Sequence, residues 1–229
     1  AALFLVACDI PASRKVSGFT SFNATIPCNK CSSAYPARAN TSLQRNYAST
    51  LRHCDRWVRR TNESNRQQAI NWKNACSQDA REKLEKKFGT RYSALHNLAY
   101  FDIVRCTAVD PMHGLFLGTA KRMVHIWRTY TNKYTNTVYL PDADIKDMQS
   151  EANQVLLPQQ YTPVHQKIGS LFANMKSDEW RTWVLGLSPY LLKGRLPIEH
   201  KENWAMFVQA CQILCAPSIT LSDATHAHN

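Results

Sequence analysis

The chain has 229 residues, 44% hydrophobic and 10% aromatic, which is enough apolar material for one large domain with a packed core and excludes a disordered protein. Only seven glycines and little low-complexity sequence argue against a sandwich of many short strands, and the long periodic segments point to a mainly helical chain with a small sheet. The formal charge of +11 argues for a polyanionic partner ahead of a membrane surface, because the basic runs do not lie on a helix with an aromatic-rich apolar face.

The run Ala2 to Ala7 predicts a continuous apolar strand of the fully buried kind, ending at Asp9. Pro11 and Ser13 begin a short helix through Val16, which Gly18 ends. Phe19 to Ile26 reads as a second extended segment leading into Cys28-x2-Cys31, and 32–50 reads as a loop rich in Ser, Ala, Asn and Pro. Apolar residues recur at helical spacing from Leu51 to Phe88, with Gly89 as the C-cap. Helices are further predicted over Met112 to Tyr130, Pro141 to Leu156 and Asn203 to Cys215, with Pro158, Pro163, Pro189 and Pro197 separating shorter ones, and 221–229 is expected to fray. The tryptophans are expected to anchor helix packing, and Cys211 and Cys215, four apart on one helix, to lie in the core.

The charge is unevenly placed. Residues 1–100 hold 16 Lys and Arg against 6 Asp and Glu, a net +10, whereas 101–229 hold 12 against 11, a net +1. Two dense runs carry it: Arg52, Arg56, Arg59, Arg60 and Arg66, then Lys83, Lys86, Lys87 and Arg91. Cations so clustered suit a nucleic-acid backbone, where each neutralised phosphate releases counterions.

The eight cysteines and the opening LFLVAC do not make a secreted protein. The run has no basic lead, is too short to span a bilayer and runs straight into Asp9. A reducing compartment is expected, where Cys-x-x-Cys more often means metal or redox chemistry than a structural disulfide. Cys28 and Cys31 alone are half of a four-ligand site, and His53-Cys54 offers one way to complete it. Asp9 is a helix N-cap or a catalytic carboxylate on spacing alone.

Three segments carry a resemblance: CDIPASRKVSGFTSFNATIPCNKC at 8–31, RYSALHNLAYFDIVRCTAVDPMHGLFLGTAKRMVHIW at 91–127, and ENWAMFVQACQILC at 202–215. Together they resemble the transposase of CACTA (En/Spm-like) DNA transposons of the fungal type. The resemblance implies a ribonuclease-H-like fold with a DDE carboxylate triad and a helical insertion. It makes 1–31 part of that core and 51–220 the insertion, basic and then neutral. It places Asp9 at the second Asp, a ligand for Mg²⁺ or Mn²⁺ in the intact enzyme, makes Cys28 and Cys31 a zinc half-site, and puts His113 of the Met-His motif beside the site. In the family a His pair completes the zinc site ahead of the final Glu; neither that pair, nor the Glu, nor the first Asp has a match here.

The fold expectation is therefore an α/β chain, mostly α, with a partial ribonuclease-H-like core. The functional expectation is a piece of a transposase, with further site residues outside this sequence, acting on DNA in the nucleus as part of an assembly and not cutting alone, since one carboxylate cannot hold two ions for in-line displacement. A non-enzymatic nucleic-acid-binding or interaction protein derived from such an element is the alternative, and a zinc-stabilised structural domain using Cys28, Cys31 and Cys54 is a third.

Overall fold

The computed structural model describes residues 2–38, 45–47, 54–132, 136–164 and 166–228. The chain is mostly helical, and strand pairing among the described residues is confined to isolated bridges. It divides into two compact units, Ala1–Asp110 and Pro111–Asn229.

In the first unit, α1 (Ile10–Val16) starts where the Asp9 carboxylate accepts the Ala12 amide at 2.8 Å, with Pro11 in its opening turn. Gly18 ends it at φ +71°, a backbone angle L side chains rarely adopt, and a Cβ there would lie 2.6 Å from the Arg91 carbonyl oxygen. α2 (Asn62–Lys73) and α3 (Gln78–Phe88) are capped by Thr61, which accepts the Ser64 amide at 3.1 Å, and by Ser77, which accepts the Ala80 amide at 3.2 Å. These two caps divide the helical stretch expected from 51 to 88, and a single 3₁₀ turn, Cys54–Arg56, precedes them. Gly89 closes α3 in the left-handed region, as its position in the sequence predicts. The short α4 (Ile103–Cys106) is capped by Asp102.

The apolar run at the start differs from expectation. Val6 is buried and pairs in parallel with Thr107, but Phe4 is 82% and Leu5 53% exposed. A fully buried strand needs cover on both faces, and one bridge to one neighbour does not supply it. The unit's core is small: Val6, Phe19, Phe101, Ile103 and Val104. Antiparallel bridges Phe19 to Thr90 and Cys31 to Arg59 tie the α2–α3 region to residues 1–31. The basic helices thus belong to the same body as 1–31, not to one with the neutral helices downstream.

In the second unit a π-helical stretch, Met112–Ala120, runs into α5 (Lys121–Thr129). There follow α6 (Asp142–Ala152), α7 (Ser177–Thr182), a second π-helical stretch (Trp183–Leu187), α8 (Ser188–Leu191) and α9 (Ile198–Leu214). Trp127, Trp180, Trp183 and Trp204 are all buried, in edge and tilted contacts with one another, while Phe172 stacks on Trp180 and meets Trp183 edge-on. Trp204 donates to the Ser188 hydroxyl at 2.8 Å, and Cys211 is fully buried beside Cys215, as their spacing predicts.

The expected fraying of 221–229 is corrected: Leu221–His228 forms α10. Thr220 and Asp223 cap it reciprocally, the Thr220 amide donating to Asp223 Oδ2 at 2.8 Å and the Asp223 amide to Thr220 Oγ1 at 3.1 Å.

Candidate functional site

The residues with the densest chemistry surround the Cys28-x2-Cys31 loop in the first unit. Both intervening side chains pin it. Asn29 is buried and donates to the Thr107 carbonyl at 3.2 Å, while Lys30 Nζ donates to the Val104 and Arg105 carbonyls at 2.6 and 3.2 Å. Lys30 thereby caps the C-terminal end of α4, where free carbonyls and the helix dipole favour a cation. From the other side Arg60 Nε donates to the carbonyls of Cys28 at 3.0 Å and Cys31 at 3.1 Å.

The two sulfurs differ. Cys28 is half-buried and Cys31 only 3% exposed. The Lys30 amide donates to Cys28 Sγ at 3.3 Å. The neighbouring Cys31 side chain, with the backbone amides of Lys30 and Cys31 and the charge of Arg14, pulls Cys28 well below its ordinary value against the opposing effect of burial. The Cys28 side chain and burial push Cys31 upward. Arg14 lies on α1; its Nε and Nη1 are buried and have no hydrogen-bond partner among the described residues.

This donor set does not complete a zinc centre among the described residues. Tetrahedral zinc takes four ligands, and no group of three His, Cys, Asp or Glu side chains comes together there. The charged side chains that brace the loop are cations, Lys30 and Arg60, and both donate to backbone carbonyls. Cys54 is exposed on its 3₁₀ turn and does not join the pair, and His53 lies outside the described residues.

Asp9 is exposed, with its Oδ1 occupied by the Ala12 amide, so the structure places it as an N-cap. His113 is exposed at the start of the first π-helical stretch, in the second unit, whereas Asp9 and the cysteines are in the first.

The basic run separates into two kinds of residue. Arg60 is 8% exposed; besides its two loop carbonyls it donates to Thr90 Oγ1 at 3.0 Å and the Phe88 carbonyl at 2.7 Å, and it lies over the Phe19 ring. Arg66 donates to the carbonyls of His96, Leu98 and Phe101 at 2.6 to 2.8 Å. Both guanidiniums are spent on internal acceptors, mostly backbone carbonyls, which corrects their assignment to a phosphate-binding set. Arg56, Arg59, Lys83, Lys86 and Lys87 are exposed, Lys83 with an ion pair to Asp79 at 2.7 Å. Arg52 lies outside the described residues.

Reasoning from sequence missed Arg14 and Lys30. The signal for Lys30 was present, since a cation between two cysteines biases them toward thiolate; nothing local marks Arg14, whose charge acts on Cys28 only through the fold.

Compared with protein-family models, with curated proteins and with solved structures, the chain gives no match. Among the described residues no helix is long and apolar enough to cross a membrane.

Proposed function

We propose that this chain derives from a CACTA-type DDE transposase and binds DNA through the exposed cations of its first unit. The observation that carries the reading is the sorting of the basic run: Arg56, Arg59, Lys83, Lys86 and Lys87 stay exposed after Arg60 and Arg66 have been taken into the interior. Lys86 also lines a cleft of about 230 Å³ with Arg45, Arg91, Glu82 and Glu85. Paired charges of both signs there limit its pull on an anion, so the binding is to the sugar-phosphate backbone at large and without sequence preference.

In this reading 1–31 corresponds to part of a ribonuclease-H-like core. The chain does not cut DNA by itself. Divalent-ion catalysis of in-line displacement needs several carboxylates around the ions, and Asp9 is already committed to its helix. Mg²⁺ or Mn²⁺ belongs to the intact enzyme, whose place of action would be the nucleus.

The test is duplex-DNA affinity measured as a function of salt. The expected result is a log–log slope of several units, about 0.9 per phosphate neutralised. A flat dependence would remove the DNA-binding reading.

A further inference from the structure

We propose that two copies of this chain associate through the second unit, Leu156 of each copy entering a cavity on the other. The association is separate from DNA binding and does not rest on it.

The cavity has a volume of about 770 Å³ and lies where α6 ends. Val155 and Leu157 turn inward against the unit's core and line it, together with the buried Val164 and Leu187. The inward turn of both neighbours leaves Leu156, on the rim, 97% exposed. Seating that leucine in such a cavity removes apolar surface of both from water at once. The segment that carries them is held in place. At one end Glu151 pairs with Arg195 at 2.5 and 3.2 Å, and at the other the Thr162 hydroxyl donates to the Asp178 carboxylate. Between them the Tyr161 amide donates to the Pro158 carbonyl at 2.9 Å. Little ordering is left for association to impose.

Charge selects the occupant. None of the described residues lining the cavity is charged, its polar side chains being Tyr161 and neutral amides such as Asn153 and Gln159. The segment 152–164 contains no Asp, Glu, Lys or Arg at all. A nucleic acid finds no cation on these walls, and a charged peptide finds no counter-charge. Residues 111–229 hold 11 Lys and Arg against 9 Asp and Glu, a net +2, whereas 1–110 hold 17 against 8, a net +9. A second copy arriving by its second unit therefore meets little repulsion. It also brings a fitting group, because one surface carries both the projecting leucine and the receiving cavity. A two-fold axis beside the rim seats both leucines together, the isologous arrangement of a closed dimer. Two leucines and their surroundings make a small interface, so the dimer is reversible and weak.

The experiment is sedimentation equilibrium of the full chain under reducing conditions, from roughly 1 μM to 1 mM. The expected result is a concentration-dependent exchange between monomer and dimer. Leu156→Asp is expected to weaken dimerisation by roughly a hundredfold, since both projecting leucines are lost together. Urea unfolding of that variant, measured on dilute chain, should match the parent, as the side chain is so exposed. Ala152→Phe, which places a ring on the cavity wall and leaves Leu156 intact, is expected to weaken the dimer as well. Three results would overturn the proposal: a dimer as tight in Leu156→Asp as in the parent, a dimer unaffected in folded Ala152→Phe, or a parent chain that stays monomeric throughout. In the last case, uptake of the neutral dye Nile red that Ala152→Phe blocks would make the cavity a site for a small apolar ligand instead. Should Ala152→Phe fail to fold, Leu156→Asp still decides.

Discussion

The Arg60 guanidinium and the Cys31 carbonyl oxygen meet at 3.1 Å in the buried interior of the first unit, one of four hydrogen-bond acceptors that this single side chain serves. A cation so placed is structural: removing it takes a donor from the buried Cys31 carbonyl and from the partly buried Cys28 and Phe88 carbonyls, and an unpaired buried acceptor costs about 1–3 kcal/mol. Arg60→Met is therefore expected to lower the unfolding free energy by roughly 3 kcal/mol. Arg60→Lys should recover little, since one ammonium cannot replace a planar fork aimed at separate acceptors. By contrast Arg59→Ala is expected to stay within about 0.5 kcal/mol of the parent chain. Denaturant titration of the three variants checks this, and an Arg60→Met chain as stable as Arg59→Ala would refute the assignment.

The exposed lysines of α3 should behave in the opposite way. Lys86→Glu combined with Lys87→Glu is expected to leave stability nearly unchanged while weakening DNA binding on every sequence alike. If both lysines touch phosphates, the slope of log affinity against log salt should fall by about two, near one for each phosphate no longer neutralised. A double variant with the parent slope would show that DNA, if bound, is bound elsewhere.

Asp9 offers a substitution that separates its two roles. As an N-cap whose Oδ1 accepts the Ala12 amide at 2.8 Å, it is replaceable by Asn, which caps about as well, whereas Asp9→Ala should cost about 1 kcal/mol. A metal-binding carboxylate would tolerate neither. The measurement is thermal unfolding of the parent and the two variants with and without Mg²⁺. Equal stabilities for the parent and the Asp9→Asn variant, with no Mg²⁺-dependent increment in the parent, are expected; an increment abolished by Asp9→Asn would restore the catalytic reading.

What the sequence disclosed and what it hid divide along a physical line. Signals whose partners are a few residues away were legible: Gly89 as a C-cap, the short helix from Pro11, and the helices around Met112 to Tyr130 and up to Cys215. The capping pair Thr220 and Asp223 is equally local, but the short and polar segment that it opens gives no periodic apolar signal to accompany it. Features that depend on distant backbone were not legible. No spacing distinguishes Arg60 and Arg66 from Arg56 and Arg59, since what internalises the first two are carbonyls 28 to 35 residues away in sequence. The same holds for Cys28-x2-Cys31: the motif announces two sulfurs, but only the fold shows that cations brace their loop. The initial apolar run failed for a related reason, because hydrophobicity alone does not count the strands available to cover it.

His96 provides a pH test of the interior of the first unit. It is 8% exposed, its Nδ1 lies 3.0 Å from the Ser93 amide and 2.9 Å from the Ser93 carbonyl oxygen, and its Nε2 lies 3.2 Å from Asn65 Oδ1. Burial, with the charge of Arg66, holds its pKa below the ordinary value, against a smaller opposing contribution from the Ser93 backbone. Below about pH 6.5 the unfolded chain thus takes up a proton that the folded chain refuses. The stability contributed by keeping His96 neutral is fully present above that value and falls as the pH drops from there toward the lower, folded pKa. His96→Asn is expected to be less stable than the parent at pH 7.5, because the ring contacts are altered, yet to lose less stability between pH 7.5 and 5.5. Other titrating groups are common to both chains and cancel in the difference between their urea unfolding curves. Parallel losses in the two chains would show that His96 is protonated equally in the folded and unfolded states, contrary to its buried pairing with Asn65.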